Sequence, residues 1–255
     1  MLGPHTEIYG LITPGDWVDF FRHVSEPYEG LLVPETDNRD LKSILIPKVM
    51  AAKDKFDVVF QPHYQPPELG DWVPGEDEKL PESPQSFFLR ANTGPRWMLG
   101  GVMSRPFVTT LQSNGVCAIS SIESSQRYDK SLFSSFMVFK NVDHCLCVQE
   151  GTLVVRLKDS SSSSSSSSSC VFREGETAVI PAGQPFALDF ASRYVRVWSF
   201  ADGDGIETLV HRLGQRFDGV VLPDQPLDWN YSSTTPITSR IADIAASLGV
   251  QFEHP

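Results

Sequence analysis

The stretch that decides the fold runs from Val138 to Phe190. It opens Val138-Phe-Lys-Asn-Val-Asp-His144-Cys-Leu-Cys-Val148-Gln-Glu-Gly151-Thr-Leu-Val-Val-Arg-Leu157. Beyond a serine tract it resumes Val171-Phe-Arg-Glu-Gly175-Glu-Thr-Ala-Val-Ile-Pro181-Ala-Gly183-Gln-Pro-Phe186-Ala-Leu-Asp-Phe190. Two runs rich in Val and Leu meet at Glu150-Gly151, which predicts a tight hairpin there because Gly enters the left-handed region without steric cost. Thr177 to Ile180 reads as a strand that must stop at Pro181, whose nitrogen has no hydrogen to donate. Strand alternation puts His144, Leu146 and Val148 on one face.

Working outward, Ser86–Arg90, Trp97–Val102, Phe107–Gln112, Val116–Glu123 and Ser134–Phe139 read as further short strands. Turn signals separate them at Gly94-Pro95, Gly100-Gly101 and Asn114-Gly115. Short strands at this spacing are the pattern of a β-barrel or sandwich. The serine run Ser160–Ser169 has no side chain able to bury area and predicts a mobile loop. Tyr194–Phe200 closes the β region, a short helix carrying His211 follows from Gly205 to Leu213, and Thr235–Leu248 predicts a C-terminal helix stopped by Gly249.

The spacing Gly175, Pro181, Gly183 resembles the second sequence motif of the cupin barrels, with Phe186 where that motif has a His. Counting back from Gly151, His144 takes the position of the first motif's Glu, and Val138 and Lys140, or their near neighbours, take its His-x-His pair. The resemblance implies a mainly β fold, an RmlC-like cupin jelly roll with a few flanking helices. Pro106-Phe-Val-Thr-Thr-Leu111, Val148-Gln-Glu-Gly151 and Asp202-Gly-Asp-Gly205 further resemble the C-terminal barrel of fungal quercetin 2,3-dioxygenases. Those proteins are bicupins with a mononuclear Cu, Fe, Mn or Ni centre in the other barrel. The resemblance therefore implies no cofactor and no metal in this chain, and a hydrophobic or aromatic flavonol-like metabolite as the small-molecule partner.

Net charge is −11 and the sequence pI about 4.9, which argues against a nucleic-acid backbone or an anionic membrane as partner. No apolar run reaches the 18–20 residues of a membrane span, and no basic-then-apolar leader opens the chain, so a cytoplasmic home is expected. Cys145 and Cys147, two apart on a strand, point the same way with poor geometry for a mutual disulfide. With Cys117 and Cys170 they read as free thiols.

Before the barrel, residues 5–12 predict a strand. Asp16 predicts a helix cap, followed by a Trp17, Phe20, Phe21, Val24 stripe. The resemblance makes residues 1–60 a strand–helix remnant of a preceding barrel. Asp37–Asp40 offers caps for a helix over Leu41–Lys55 that Pro47 interrupts. Residues 61–85 hold six prolines and read as a linker to which Trp72 adds an anchor, 86–205 as the cupin barrel, and 206–255 as a helical extension. An unpaired first strand and an apolar C-terminal helix point to a homodimer.

The predicted pocket is lined by His144, Leu146, Val148 and Phe186. One imidazole among apolar neighbours is too few donors for a first-row metal, which takes about three protein ligands. His144 reads as a core histidine that must find a hydrogen-bond partner, or as the one candidate acid–base residue. His63 and His211 read as exposed and isolated. Three readings stay open: the non-catalytic half of a quercetinase-like bicupin, a metal-free binding or scaffold cupin, and a metal-independent isomerase or cyclase that uses His144.

Overall fold

The computed structural model describes residues 8–12, 15–30, 36–61, 63–66, 68, 70–128, 131–158, 167–224 and 242–252. The chain divides into two units, Met1–Gly70 and Asp71–Pro255. The division falls inside the proline-rich stretch 61–85.

In the first unit, α1 is Trp17–Val24 and α2 is Leu41–Ala51. The Asp40 side chain accepts from the Lys42 and Ser43 amides and starts α2. Asp16 makes no such side-chain bond at α1. Of the predicted stripe, Phe20 and Val24 are buried, with Ala52 and beside Val49, Phe56 and Val58. Trp17 and Phe21 remain 46% and 48% exposed, because so small a core covers only one edge of the helix. Residues 8–12 form no strand; residues 5–7 lie outside the described set.

In the second unit the strands are β1 (Trp97–Leu99), β2 (Val102–Val108), β3 (Ala118–Ser124), β4 (Met137–Phe139), β5 (His144–Glu150), β6 (Leu153–Lys158), β7 (Ser167–Phe172), β8 (Thr177–Ile180), β9 (Phe186–Phe190) and β10 (Val195–Ala201). Helix α3 (Ile206–Leu213), β11 (Gln215–Arg216) and β12 (Val250–Phe252) follow. One sheet runs β11-β1-β2-β3-β10-β5-β8, and the other β12-β4-β9-β6-β7. From β3 onward the chain visits the two sheets in the order that places β3-β10-β5-β8 opposite β4-β9-β6-β7. That order is the jelly roll, and the fold is the mainly β cupin barrel expected.

Several local expectations give way to this topology. Gly151 is not a hairpin: β5 already has β10 and β8 on its two edges, so β6 has no edge to join and pairs with β7 and β9 in the opposite sheet. Gly151 is the corner between the sheets, with φ of +79°, and a side chain there would run into the Tyr194 carbonyl. Ser86–Arg90 is not a strand; Phe88 stacks edge-on with Trp72 and the Arg90 guanidinium lies over the Trp72 ring. The end of the serine tract is strand, not loop. Ser167, Ser168 and Ser169 pair with Lys158, Leu157 and Arg156, a ladder that backbone groups alone sustain; residues 159–166 lie outside the described set.

The C-terminal segment is more than a helical extension. β11 and β12 each extend a sheet, and β12 covers the edge of β4. Residues 242–247 are helical, with Ala245 buried and Ile244 and Leu248 packed on the barrel core; 235–241 lie outside the described set. α3 buries Ile206, Leu209, Val210 and Leu213 in that same core. Among the described residues no helix is long and apolar enough to cross a membrane.

Candidate functional site

His144 opens β5, opposite Ala201 of β10 and Ile180 of β8. Its position is tied down from three sides. The Asp143 amide donates to Asp202 Oδ1 at 2.6 Å, the Asp143 carboxylate accepts from the Ala182 amide at 2.6 Å, and the Gly183 amide donates to the Phe139 carbonyl at 2.8 Å. The start of β5, the Pro181–Gly183 turn and the loop leading to α3 are therefore joined at one end of the barrel.

The imidazole points inward and is 1% exposed. Leu146, Val148 and Phe186, the other residues predicted to line a pocket, are buried in the same core. The ring centre of Phe139 lies 4.6 Å from that of His144 and that of Phe186 lies 5.5 Å away. On β4 the inward residues are Met137 and Phe139, while Val138 is half-buried and Lys140 exposed. The alternation of β4 thus turns the two residues counted as the His-x-His positions away from His144 and brings their neighbours in.

A second titratable group lies near His144. Glu207, in the first turn of α3, is 1% exposed. Its Oε1 accepts from the Gly205 amide at 2.8 Å and from the Thr208 hydroxyl at 3.2 Å. Its Oε2 has no protein partner, nor has either nitrogen of His144. A Cβ added to Gly205 would stand 2.8 Å from Glu207 Oε2 and 2.9 Å from His144 Nε2, so both atoms flank the bare α-carbon. Burial drives both groups toward their neutral forms. It takes the His144 pKa down to about 4, opposed by the Asp143 charge and the Val142 backbone. It lifts Glu207 to about 7, opposed by hydrogen bonds from its own backbone, Gly205 and Thr208. Ser120 and Ser199, paired across β3 and β10, carry two more buried hydroxyls without a protein partner.

Glu207 escapes a reading of the sequence because it looks like an ordinary acidic residue in a helix's first turn. The available signal was its place between Ile206 and Leu209 on a helix whose apolar face points into the barrel. His211, one turn further, is not an isolated surface residue. It is half-buried, its Nε2 lies 3.1 Å from Ser104 Oγ, its ring lies 4.4 Å from that of Trp97, and burial lowers its pKa to about 4. His63 is exposed.

The cupin fold raises the question of a resident metal, and these residues do not fit one. His144 and Glu207 supply two donors, and Met137, Phe139 and Phe186 supply none. Among the described residues no three His, Cys, Asp or Glu side chains gather at one point. Cys145 and Cys147 are free thiols that alternate with the inward residues and so face away from His144. Within the first unit, a cleft of about 470 Å³ is lined by Trp17, Phe56, Asp16, Asp19, Asp57 and Lys55 among others.

No protein-family model matches the chain, and no curated protein does. Among solved structures, the ethanolamine utilization protein EutQ of Salmonella typhimurium is 20% identical over 41% of this chain and 71% of its own, with a TM-score of 0.30. The cupin domain of Schizosaccharomyces pombe Cnp3 is 10% identical over 44% of this chain and 71% of its own, with a TM-score of 0.32. A variant of Bacillus subtilis oxalate decarboxylase is 14% identical over 42% of this chain and 27% of its own, with a TM-score of 0.33. Likeness at this level adds nothing to the strand order, which itself identifies the barrel.

Proposed function

We propose that this chain is a cupin of the quercetin 2,3-dioxygenase kind whose barrel is a packed, non-catalytic half. It works beside a metal-bearing barrel on flavonol-like aromatic substrates. The observation that carries this reading is the set of side chains gathered round His144. Met137, Phe139 and Phe186 fill the space that ligating side chains would need, and each is at most 1% exposed. The test is turnover of quercetin by the purified chain supplied in turn with Fe(II), Mn(II), Ni(II) and Cu(II). The expected result is no consumption of flavonol or O₂ above the protein-free control. Turnover that disappears in His144→Ala with the fold intact would overturn it.

The Glu207–His144 juxtaposition favours a second reading, acid–base chemistry on a hydrophobic metabolite with no metal. In that reading Glu207 is the protonated partner and His144 the neutral base, the division that burial imposes on them.

A further inference from the structure

The cleft of the first unit, about 470 Å³, falls within the roughly 300–1,000 Å³ of small-molecule sites, and neither reading of the barrel uses it. Its apolar wall is Trp17 and Phe56, with Ile12 and Val58 beside them. Phe56 is fixed by the small core, its ring edge-on to that of Phe20 at 5.8 Å. Trp17 is 46% exposed, so much of its indole is left for an occupant.

The polar wall is acidic. Asp16, Asp19 and Asp57 stand against Lys55 alone, three carboxylates to one ammonium. Asp19 is already paired with Arg22 at 2.8 Å. Asp16 holds the cap position of α1, yet its side chain makes no bond to the helix amides. Among the described residues, neither Asp16 nor Asp57 has a side-chain hydrogen bond or ion pair.

We propose that this cleft binds a small organic cation, an arylalkylammonium whose charge is met by Asp16 and Asp57 and whose hydrocarbon body lies on Trp17 and Phe56. The volume and the aromatic wall point to a ligand independently of the carboxylates, and the carboxylates select its charge. A bare metal ion would leave the aromatic wall uncovered, and an anion would face two unpaired carboxylates. The indole face adds its own attraction for a cation, the strongest among the aromatic side chains. The inference concerns the first unit only and is independent of the flavonol reading and of the barrel interior.

Benzyltrimethylammonium, benzyl alcohol and phenylacetate are probes that carry one aryl group with a positive charge, no charge and a negative charge. Ligand-observed NMR titrations of the whole chain, at about pH 7 and low salt, read their binding. The cation is expected to saturate with a Kd of about 1 mM or tighter, ~10-fold below that of benzyl alcohol, while phenylacetate does not bind. The indole N–H signal of Trp17, assigned by its loss in Trp17→Phe, should move with the same Kd. Asp16→Asn combined with Asp57→Asn changes two exposed side chains without touching the core. It should weaken the cation about 10-fold and leave benzyl alcohol unchanged. Cation binding that is absent, equalled by phenylacetate, or unchanged in the double variant overturns the proposal. So does saturation that leaves the Trp17 signal where it was.

Discussion

The two faces of the larger sheet differ in how fully they answer their buried polar groups. On the outer face Arg105 and Glu123 are 6% and 5% exposed, and their neighbours answer them. Glu123 accepts from Ser121 at 2.9 Å and from Tyr194 at 2.7 Å, Arg196 pairs with Glu150 at 3.1 Å through Nη2 while its Nε stays without a protein partner, and Arg105 reaches the Thr93 carbonyl at 3.5 Å. Burial and the Glu123 carboxylate together push the Tyr194 phenol far up. On the inner face His144, Glu207, Ser120 and Ser199 each keep an atom without a protein partner. Pairing on the outer face is what buried charge requires for stability. The unanswered atoms inside mark the place where the barrel departs from a purely structural core.

Four outcomes sharpen or break this contrast, taken from the largest effect down. Glu123→Ala strips Tyr194 and Ser121 of their acceptor and leaves buried Arg105 without its compensating charge. It should cost about 3–5 kcal/mol in urea unfolding. A loss below ~1 kcal/mol would mean that the outer network is ornamental.

The inner pair shows itself in pH dependence rather than in bulk stability. Glu207 has a folded pKa near 7, raised from 4.5, so the folded state holds a proton that the unfolded chain releases above pH 4.5. Its contribution is full below that value and is lost as pH climbs to about 7. His144 has a folded pKa near 4, lowered from 6.5, so it works in the other direction: stability is lost as pH falls from 6.5 to 4. Between pH 4.5 and 6.5 the two slopes oppose each other in the wild type. His144→Phe should uncover the falling limb and Glu207→Leu the rising one, each about 3 kcal/mol. The double variant supplies the baseline, which carries His211 and the rest of the chain. Superimposable curves for the two single variants would refute these opposed shifts.

Much of the barrel was legible in the chain because its signals are local. Pro181 ends β8 where it must, and the alternation of His144, Leu146 and Val148 correctly turns them inward. What was not legible depends on which strands become neighbours. Gly151 has the same backbone requirement in a hairpin as at a corner between sheets, so only the occupied edges of β5 distinguish the two. The serines of β7 carry no hydrophobic pattern, yet their backbone completes a ladder that β6 offers. Glu207 and His211 carry only the hint of their place on an amphipathic helix until α3 is laid against the sheet. The placing of Glu207 and His144 beside the same glycine is a product of long-range topology.

The remaining two effects are smaller. Gly205→Ala should cost about 1–3 kcal/mol by overpacking, and should perturb the His144 resonances more than any other alanine at a turn glycine. His144→Phe combined with Glu207→Leu removes both partners together. It should change stability by less than ~1 kcal/mol, or raise it, near pH 7, in contrast to the outer face.

The central claim is that the barrel's interior is an apolar core in which the buried His144 and Glu207 stand in place of a metal centre. Its most direct test is metal content by elemental analysis after the purified chain is equilibrated with Fe(II), Mn(II), Ni(II), Cu(II) and Zn(II) and then gel-filtered. The expected result is far less than one equivalent per chain in wild type and in His144→Ala alike. One full equivalent of a single metal, lost together in His144→Ala and Glu207→Leu, would contradict it.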